Sequence, residues 1–535
     1  MVVIKDSIDT LNKNIGNNYV SRLYEFSSVI GYTIEKSEDE LKIEFNPDRP
    51  DLYSFYALKA SMKIFYDSNF IIKSPLTSND IKLEVEPAVL DERPYVLSFT
   101  AEGGPLGNYY EHIISYQERL HETIGKSRKK VAIGIHDLDK IKPPFKFSIA
   151  DAKKLEFTTY DGYSGTAEKI LHNHPKGIEF SKLIKSKKLV PVITDNENNV
   201  LSMPPVINGI KSRISRDTSN LFFDITGTDY NAVRSAFYLF AYEMSYLGYK
   251  VSTSEKSSKT LSYDFREIDM VEKEVARLIG VTGIDIIPLL RKMGFRCEIT
   301  AAGFRVNVPG NRIDVMGPVD IIEDIAKAYG YDNIAEKKLK MVNTGQPYHI
   351  YADIDIINDI LISLNYQEIK TFVLNSIDYY AGISYNGKIS ISNPKSMDYS
   401  VMRDRLYPGM LNFLRINKRR GMPVKIFEIG DVINNGVQET HLCLIYNNSK
   451  ASYSDIYSML QYFLKRSMDT VPVINRAAYP EIIYGRGGNI MVNGVYTGII
   501  GEMAPEILKK FEIQNPLSFF EINLGQLLSG VPRHA

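Results

Sequence analysis

The stretch that decides how the chain is read runs from Asn307 to Tyr331, NVPGNRIDVMGPVDIIEDIAKAYGY. Pro318 suits the first turn of a helix, where a missing N–H costs nothing, and Gly330 suits the stop, so Val319 to Tyr329 is expected to form one short helix. Asp320, Glu323 and Asp324 then fall at i, i+3 and i+4 on one face, while Val319, Ile322, Ala326 and Tyr329 are free to point to a core. Asp314, just upstream, can fold back onto the acidic face. Oxygen ligands crowded in this way repel one another unless a positive charge sits among them. A hard dication such as Mg2+ is the natural choice, because it takes carboxylate oxygens, keeps waters and needs no sulfur or imidazole. The alternative is a solvated acidic face whose Asp320 complements the helix dipole.

Outward from this helix the chain divides. Its 535 residues suggest roughly three to four domains. Lys and Arg number 64 against 64 Asp and Glu, so the formal charge is zero and a broad basic surface for nonspecific nucleic-acid binding is not expected. The two cysteines, Cys297 and Cys443, signal neither a disulfide framework nor a zinc site. The opening MVVIKDSIDT is no secretory signal, and no apolar run reaches the length of about eighteen residues that a membrane helix needs, so a cytoplasmic protein without a membrane partner is expected.

Residues 1-78 read as an N-terminal α+β domain with a hairpin-like TIEKSEDELKIEF, a turn at Asn46 to Asp51 with no catalytic role assigned, and a helix from Leu52 to Tyr66. Residues 79-252 mix short β-rich runs (KVAIGIHDLD, LVPVIT, NLFFDITGTD) with helices at Tyr109 to Ile124 and Ala232 to Leu247, the second apolar enough all round to be buried. Polar residues gather at strand ends there: His136, Asp137 and Asp139; Ser202 and Asn208 about the Pro204-Pro205 turn; Asp224, Thr226 and Thr228. Hydroxyls, an amide and a carboxylate suit a pocket that holds a small polar substrate and positions a water, although such residues also cap turns everywhere.

Residues 251 to 260 look like a Ser/Lys-rich linker. Residues 261-338 come next as a small helix, helix, hairpin, helix module of winged-helix-like order. Residues 348-535 open on an isoleucine-rich helix expected to be mostly buried, then alternate strand runs (KTFVL, VKIFEIGDVI, HLCLIYN, NIMVNGVYTGIIGE, LSFFEINL) with helices, which predicts a large antiparallel sheet. Local positive charge sits in GKSRKK (Gly125 to Lys130), in the lysines from Lys182 to Lys188 and in RINKRRG (Arg415 to Gly421). Each is a candidate phosphate contact or an ordinary solvated surface.

FNPDRPDLYS, KVAIGIHDLDK, NHPKGIEF, LSMPPVINGI, NLFFDITGTD, RIDVMGPVDIIEDIAKAYGYDNI and KIFEIGDV occur in this order, and with them nearly the whole chain resembles the beta subunit of phenylalanyl-tRNA synthetase in its shorter archaeal and eukaryotic-cytosolic form. The resemblance implies a multidomain α+β chain with an editing domain, a Mg2+-binding module and a C-terminal domain like the catalytic fold of class II synthetases. It implies that Asp314, Asp320, Glu323 and Asp324 hold Mg2+, and that residues 79-252 hydrolyse tyrosine wrongly esterified to the phenylalanine tRNA. A pocket made for phenylalanine excludes an isostere that adds only a hydroxyl poorly, so a second, hydrolytic site helps.

Ser202, Asn208, Asp224 and Thr226 are the residues expected to line that site, with no general base named. The last domain lacks a glycine-rich helix with a late arginine, and no matching acid set accompanies Arg403 and Arg405. Phenylalanine activation is therefore expected on a separate alpha subunit in an α2β2 assembly that acts on the tRNA. Two other readings compete: a free-standing hydrolase of mischarged tRNA, and a Mg2+-dependent phosphodiesterase built on the four carboxylates.

Overall fold

A computed structural model describes residues 2–67, 74–253, 265–301, 303–338, 345, 349–380, 382–383, 385, 389–418 and 421–529. The chain forms two compact units, Met1–Lys338 and Leu339–Ala535. It is a multidomain α+β protein whose sheets are mainly antiparallel.

In the first unit the strands Val2–Ser7, Glu40–Phe45 and Thr33–Lys36 form a small antiparallel sheet. Helix α1 (Phe55–Tyr66) follows a 3-10 turn at Pro50–Leu52. Ser54 starts α1 by accepting hydrogen bonds from the N–H groups of Tyr56 and Ala57, as an N-cap should. Its own hydroxyl donates to Glu243, 189 residues further along the chain, which ties the N-terminal segment to the domain after it.

Two five-stranded sheets come next. The first runs Leu76–Ser78, Lys250–Thr253, β1 (Tyr95–Glu102), β5 (Asn220–Gly227) and β2 (Val131–Asp137). The second runs β4 (Ile207–Asn208), β3 (Val200–Met203), Leu189–Thr194, Phe145–Asp151 and Leu83–Val85. Strand alternation sorts the residues of β5: Leu221, Phe223 and Ile225 join the core under helices α2 (Tyr109–Glu122) and α3 (Tyr230–Tyr246), while Phe222 packs on Phe145 of the second sheet at 4.2 Å between ring centroids. Asp224 and Thr226 therefore point between the sheets. The apolar α3 is buried along most of its length, as expected. Val251 to Thr253, read from sequence as linker, instead form a strand hydrogen-bonded on both sides, because their β-branched residues and serine complete the first sheet; the remaining linker residues lie outside the described residues.

The helices Glu272–Ile279 and Ile286–Lys292, the hairpin Arg296–Thr300 with Gly303–Pro309, and helix α4 (Pro318–Tyr329) appear in the order expected, with a further strand, Phe265–Met270, added to the hairpin. The face of α4 meets the expectation at Ile322 and Ala326, which are buried, and departs from it elsewhere. Ile321, Ile322 and Ile325 fill the core, Val319 stands 62% exposed, and Asp324 is buried.

The second unit is built on a seven-stranded sheet ordered Gln367–Glu368, Val424–Asn434, Val437–Asn447, Leu517–Asn523, Val495–Met503, Ile482–Val492 and Val473–Arg476, antiparallel except for the first pair. Both faces are covered, and alternate residues divide between two cores: Ile426, Cys443 and Phe519 on one side, Phe427, Leu444 and Phe520 on the other. The helix His349–Ser363 is not mostly buried among the described residues: Ile357 and Leu361 are buried in the core, Ile354 and Ile360 pack against it half-buried, and Ile356 and Ile362 are exposed, because the sheet takes one apolar stripe from it. KTFVL is not a strand either; pairing is limited to Gln367–Glu368 before it and Leu374–Asn375 at its end.

Candidate functional site

Between the two sheets lies a connected polar layer. The carboxylate of Asp224 accepts from His136 Nε2 at 2.7 Å and from Ser202 Oγ at 3.2 Å, and His136 Nδ1 lies 2.8 Å from Ser212 Oγ. With a carboxylate on one side, the ring proton belongs on Nε2, which leaves Nδ1 as an acceptor for the Ser212 hydroxyl. All four side chains are almost fully buried, so each polar atom depends on its neighbours.

Register explains how distant segments meet. His136 is paired with Phe222 and Gly134 with Asp224 across β2 and β5, so the Asp224 side chain lies over Gly134. A methyl group at Gly134 would collide with Asp224 Oδ2 and His136 Nε2. Thr226, next on the same face of β5, accepts from Arg93 Nε at 2.9 Å, and its carbonyl accepts from Nη2 of the same guanidinium. Burial lowers Arg93 to about 10, against the pull of Asp224 and Glu92.

Of the four residues expected from sequence, Ser202 and Asp224 belong to one hydrogen-bonded group and Thr226 sits beside it. Asn208 does not join them. It pairs with Ser202 across β3 and β4, and lines a separate cavity of about 440 Å³ with Tyr110, His121, Arg128, Tyr160 and Lys176. Ser212, Arg93 and Gly134 were missed. The usable signal was alternation: Gly134 and His136 share a face of their strand, as Asp224 and Thr226 do of theirs.

The acidic module forms a second candidate site. Asp314, Asp320, Glu323 and Asp324 line one cavity of about 690 Å³, with Asp48 and Arg49 of the N-terminal turn on its wall. The Asn46 to Asp51 run thus has a place at this site that its sequence reading did not assign. All four carboxylates already have partners. Arg312 reaches Asp314 through Nε and Nη2, at 3.0 and 2.8 Å, and Asp324 Oδ2 through Nη2 at 2.5 Å. Burial would push Asp314 up, but Arg312 outweighs it and holds the carboxyl below its ordinary range. Asp320 Oδ2 accepts from the N–H groups of Met316 and Gly317 at the start of α4, the dipole-complementing role.

Glu323 pairs with Lys327 one turn on. The positive charge among these carboxylates is thus, in part, Arg312. Among the described residues no three ligating side chains are gathered closely enough to enclose a metal ion. The donor set is nevertheless all oxygen, around a cavity with room for an ion that keeps its waters, and this is how Mg2+ is usually held.

In the second unit Arg403 and Arg405 do have acids beside them. Arg403 Nη1 lies 2.7 Å from buried Glu428, and Arg405 meets Asp404 and Glu481. Glu521 accepts from the N–H groups of Leu406 and Tyr407 and from His441. These pairs are internal to the sheet. Lys418 of the basic RINKRRG run pairs with Glu512, while Arg419 and Arg420 lie outside the described residues. Among the described residues no helix is long and apolar enough to cross a membrane.

Comparison with known proteins places these elements. Residues 126–257 match the B3/4 domain model, 268–331 the tRNA synthetase B5 domain, and 337–524 the phenylalanyl tRNA synthetase beta chain CLM domain. The chain is 42% identical to the phenylalanine–tRNA ligase beta subunit of Thermoplasma volcanium, with 99% of each chain covered, and 32% identical to that of Archaeoglobus fulgidus, with 97% of each covered. The crystal structure of an N-terminal fragment of the phenylalanyl-tRNA synthetase beta subunit from Pyrococcus horikoshii superposes with a TM-score of 0.56 at 28% identity, covering 62% of this chain and all of the fragment. The chain belongs to the phenylalanine–tRNA ligase beta subunit family, within the aminoacyl-tRNA synthetases.

Proposed function

We propose that this chain supports ATP-dependent attachment of phenylalanine to its tRNA by an alpha subunit, in an α2β2 assembly of the cytoplasm, and that it hydrolyses tyrosine mischarged onto that tRNA. The observation that carries the hydrolytic half is the buried Ser212–His136–Asp224–Ser202 chain. His136 Nδ1 is the base: it takes a proton from a water that replaces the Ser212 hydroxyl as its partner once the ester is bound. The water oxygen attacks the ester carbonyl carbon, the ribose oxygen leaves, and the imidazolium returns the proton to it. Asp224 holds the ring and offsets the charge that develops on it, while Arg93 fixes Thr226 beside the acyl group. Asn208 acts from the neighbouring cavity wall and not within this group.

Activation on the alpha subunit is supported by the fate of the arginines. Arg403 is tied to Glu428, and Arg405 to Asp404 and Glu481, so neither is free to grip a triphosphate. Residues 348-535 then serve as a class II-like partner fold and 79-252 as the editing domain. In 261-338, Asp314, Asp320, Glu323 and the Asp324 oxygen outside the Arg312 bridge would hold a hydrated Mg2+, whose charge offsets the remaining carboxylates.

Co-expression with an alpha chain tests the ligase reading. Phenylalanine-dependent charging is expected of the pair and not of this chain alone, and adenylate formation by the lone chain overturns it. Hydrolysis of Tyr-tRNA by the pair, lost in His136→Ala, tests editing. Calorimetric titration with Mg2+ tests the ion: binding weakened about tenfold by Asp320→Asn is expected, and wild-type affinity in that variant removes Asp320 from the ligand set.

A further inference from the structure

Between α2 and the N-terminal segment lies a third cavity, also of about 440 Å³, that neither the hydrolytic nor the metal reading uses. Its wall takes His112 and Arg119 from α2, Lys5 and Asp6 from the strand Val2–Ser7, Lys13 from the helix Ile8–Asn14, and Tyr56 from the first turn of α1. His112 is held by Glu243, a buried residue of α3 whose Oε1 accepts from His112 Nε2 and from Ser54 Oγ, each at 2.6 Å. One carboxylate oxygen thus ties α1, α2 and α3 together, and the cavity is preformed at a size that suits a small ligand.

Two donors on this wall have nothing to bond. Among the described residues the half-buried Arg119 guanidinium makes no ion pair and no hydrogen bond, and its Nε is fully buried. The neighbouring acids are committed elsewhere: Glu111 to Arg216, Glu118 to Arg128, and Glu243 Oε1 to Ser54 and His112. Burial lowers the basicity of Arg119, against the pull of Tyr116, Glu243 and Glu122, so the charged form is short of the partner that its burial calls for. Tyr56, only 7% exposed, packs its ring against Tyr109 and His112 and leaves its hydroxyl buried without a partner. Burial, with Tyr109, Glu243 and Asp6 adding to it, raises that hydroxyl above its ordinary range, so it stays protonated and able to donate. Glu243 Oε2 is also unpartnered, but Glu243 does not line the cavity. Buried donors left unmade carry a desolvation penalty that a bound acceptor relieves.

The open charges define the ligand. Lys13, exposed in the last turn of its helix, has no ion pair among the described residues, and Lys5 meets Glu40 only at 3.4 Å through solvent-exposed side chains, a weak pair. Asp6 opposes them, with one oxygen already accepting the Ser7 N–H. The wall therefore carries a surplus of positive charge. A carboxylate ligand would balance one cation. A phosphate monoester brings a charge of about −1.5 to −2 at neutral pH and three acceptor oxygens, enough for Arg119, Lys13 and the Tyr56 hydroxyl together. Asp6 keeps an oxygen to accept from a hydroxyl on the organic part. We infer that this cavity binds a small hydroxylated phosphate monoester, its phosphate at Arg119, Tyr56 and Lys13 and a hydroxyl at Asp6. The ligand joins the helix Ile8–Asn14 to α2 and so locks the N-terminal segment onto the domain that follows. The site rests on neither the hydrolytic nor the metal reading.

Calorimetry and thermal melting of the full chain with ribose 5-phosphate, ribose and inorganic phosphate provide the test. Ribose 5-phosphate is expected to bind and to raise the Tm, since a ligand held only by the folded state stabilises it. Inorganic phosphate should bind about tenfold more weakly, and ribose should not bind at all. Arg119→Gln should weaken ribose 5-phosphate about tenfold or more, and Tyr56→Phe about fivefold. Lys13→Ala, at an exposed position that leaves the fold alone, should weaken it about threefold and flatten its salt dependence, which keeps the test open if Arg119→Gln is unstable. Lys176→Ala, on the wall of the cavity that Asn208 lines, should leave the affinity unchanged; a loss there instead places the phosphate in that cavity and overturns the proposal. No binding up to about 10 mM, or binding indifferent to both Arg119→Gln and Lys13→Ala, also overturns it. So does single-stranded RNA that binds through Arg119 while ribose 5-phosphate does not, because the phosphate would then belong to a nucleic-acid backbone.

Discussion

The acidic helix α4 and the polar layer between the two sheets make opposite use of similar side chains. On α4 the carboxylates are dense in sequence, and the fold distributes them: Asp320 to a helix N-terminus, Glu323 to Lys327, Asp314 and Asp324 to one arginine. Between the sheets a single carboxylate, Asp224, organises a histidine and two serines drawn from three separated segments. Density along the chain reports a need for counter-charge, which an arginine can meet as well as an ion. Convergence across strands reports a shared environment, which is what chemistry requires.

The sharpest way to break this contrast is to delete the organising carboxylate. Asp224→Ala should lower Tyr-tRNA hydrolysis by about 10²- to 10⁴-fold, while charging by the co-expressed pair persists. Equal loss of both activities would mean that the layer is structural only. On the other side, Arg312→Ala should cost about 3–5 kcal/mol in chemical denaturation, because it strands the buried Asp324. If Mg2+ is already the dominant counter-charge, millimolar Mg2+ should recover most of that loss; if Arg312 dominates, it should recover little.

Gly134→Ala is a gentler probe of the same layer. The methyl group must displace Asp224, so a loss of about 1–3 kcal/mol is expected together with lost hydrolysis. Unchanged hydrolysis would show that Asp224 does not need its present position.

Much of this architecture was legible in the sequence because its signals are local. Pro318 and Gly330 bound α4, the helices and hairpin of the module follow their periodicity, and α3 is as buried as its composition suggests. The errors have physical causes. Spacing alone assigns Val319 to the core, but Ile321 and Ile325 take that place and Val319 is exposed, and the Arg312–Asp324 pair, twelve residues apart, is one that no helical pattern contains. Val251 to Thr253 look polar enough for a linker, yet a strand with neighbours on both sides needs backbone pairing more than apolar side chains. At the candidate site, Asp224 and Ser202 could be singled out as polar residues of β-rich runs, although Asp224 lies in the middle of β5 and not at its end. Ser212 and Arg93 could not, since only the packing of two sheets brings them to His136 and Thr226.

A smaller effect lies between the two extremes, at the Glu118 carboxylate beside the cavity that Asn208 lines. Burial alone would raise it, but the His121 side chain and the Arg128 guanidinium outweigh that and hold it at about 2. In the unfolded chain a glutamate titrates near about 4.3. A depressed carboxyl stabilises the fold above its unfolded value, and that contribution is lost as the pH falls through the folded one, so the window runs from about pH 5 down to about pH 2. The side chain is 43% exposed, so solvent screening leaves about 1 kcal/mol of the effect. Urea midpoints measured across this window should fall more steeply for the wild-type chain than for Glu118→Gln, which has nothing to protonate. Parallel slopes would mean that Arg128 is held by the Pro205 and Val206 carbonyls alone, and that its turn is fixed by backbone contacts instead of charge.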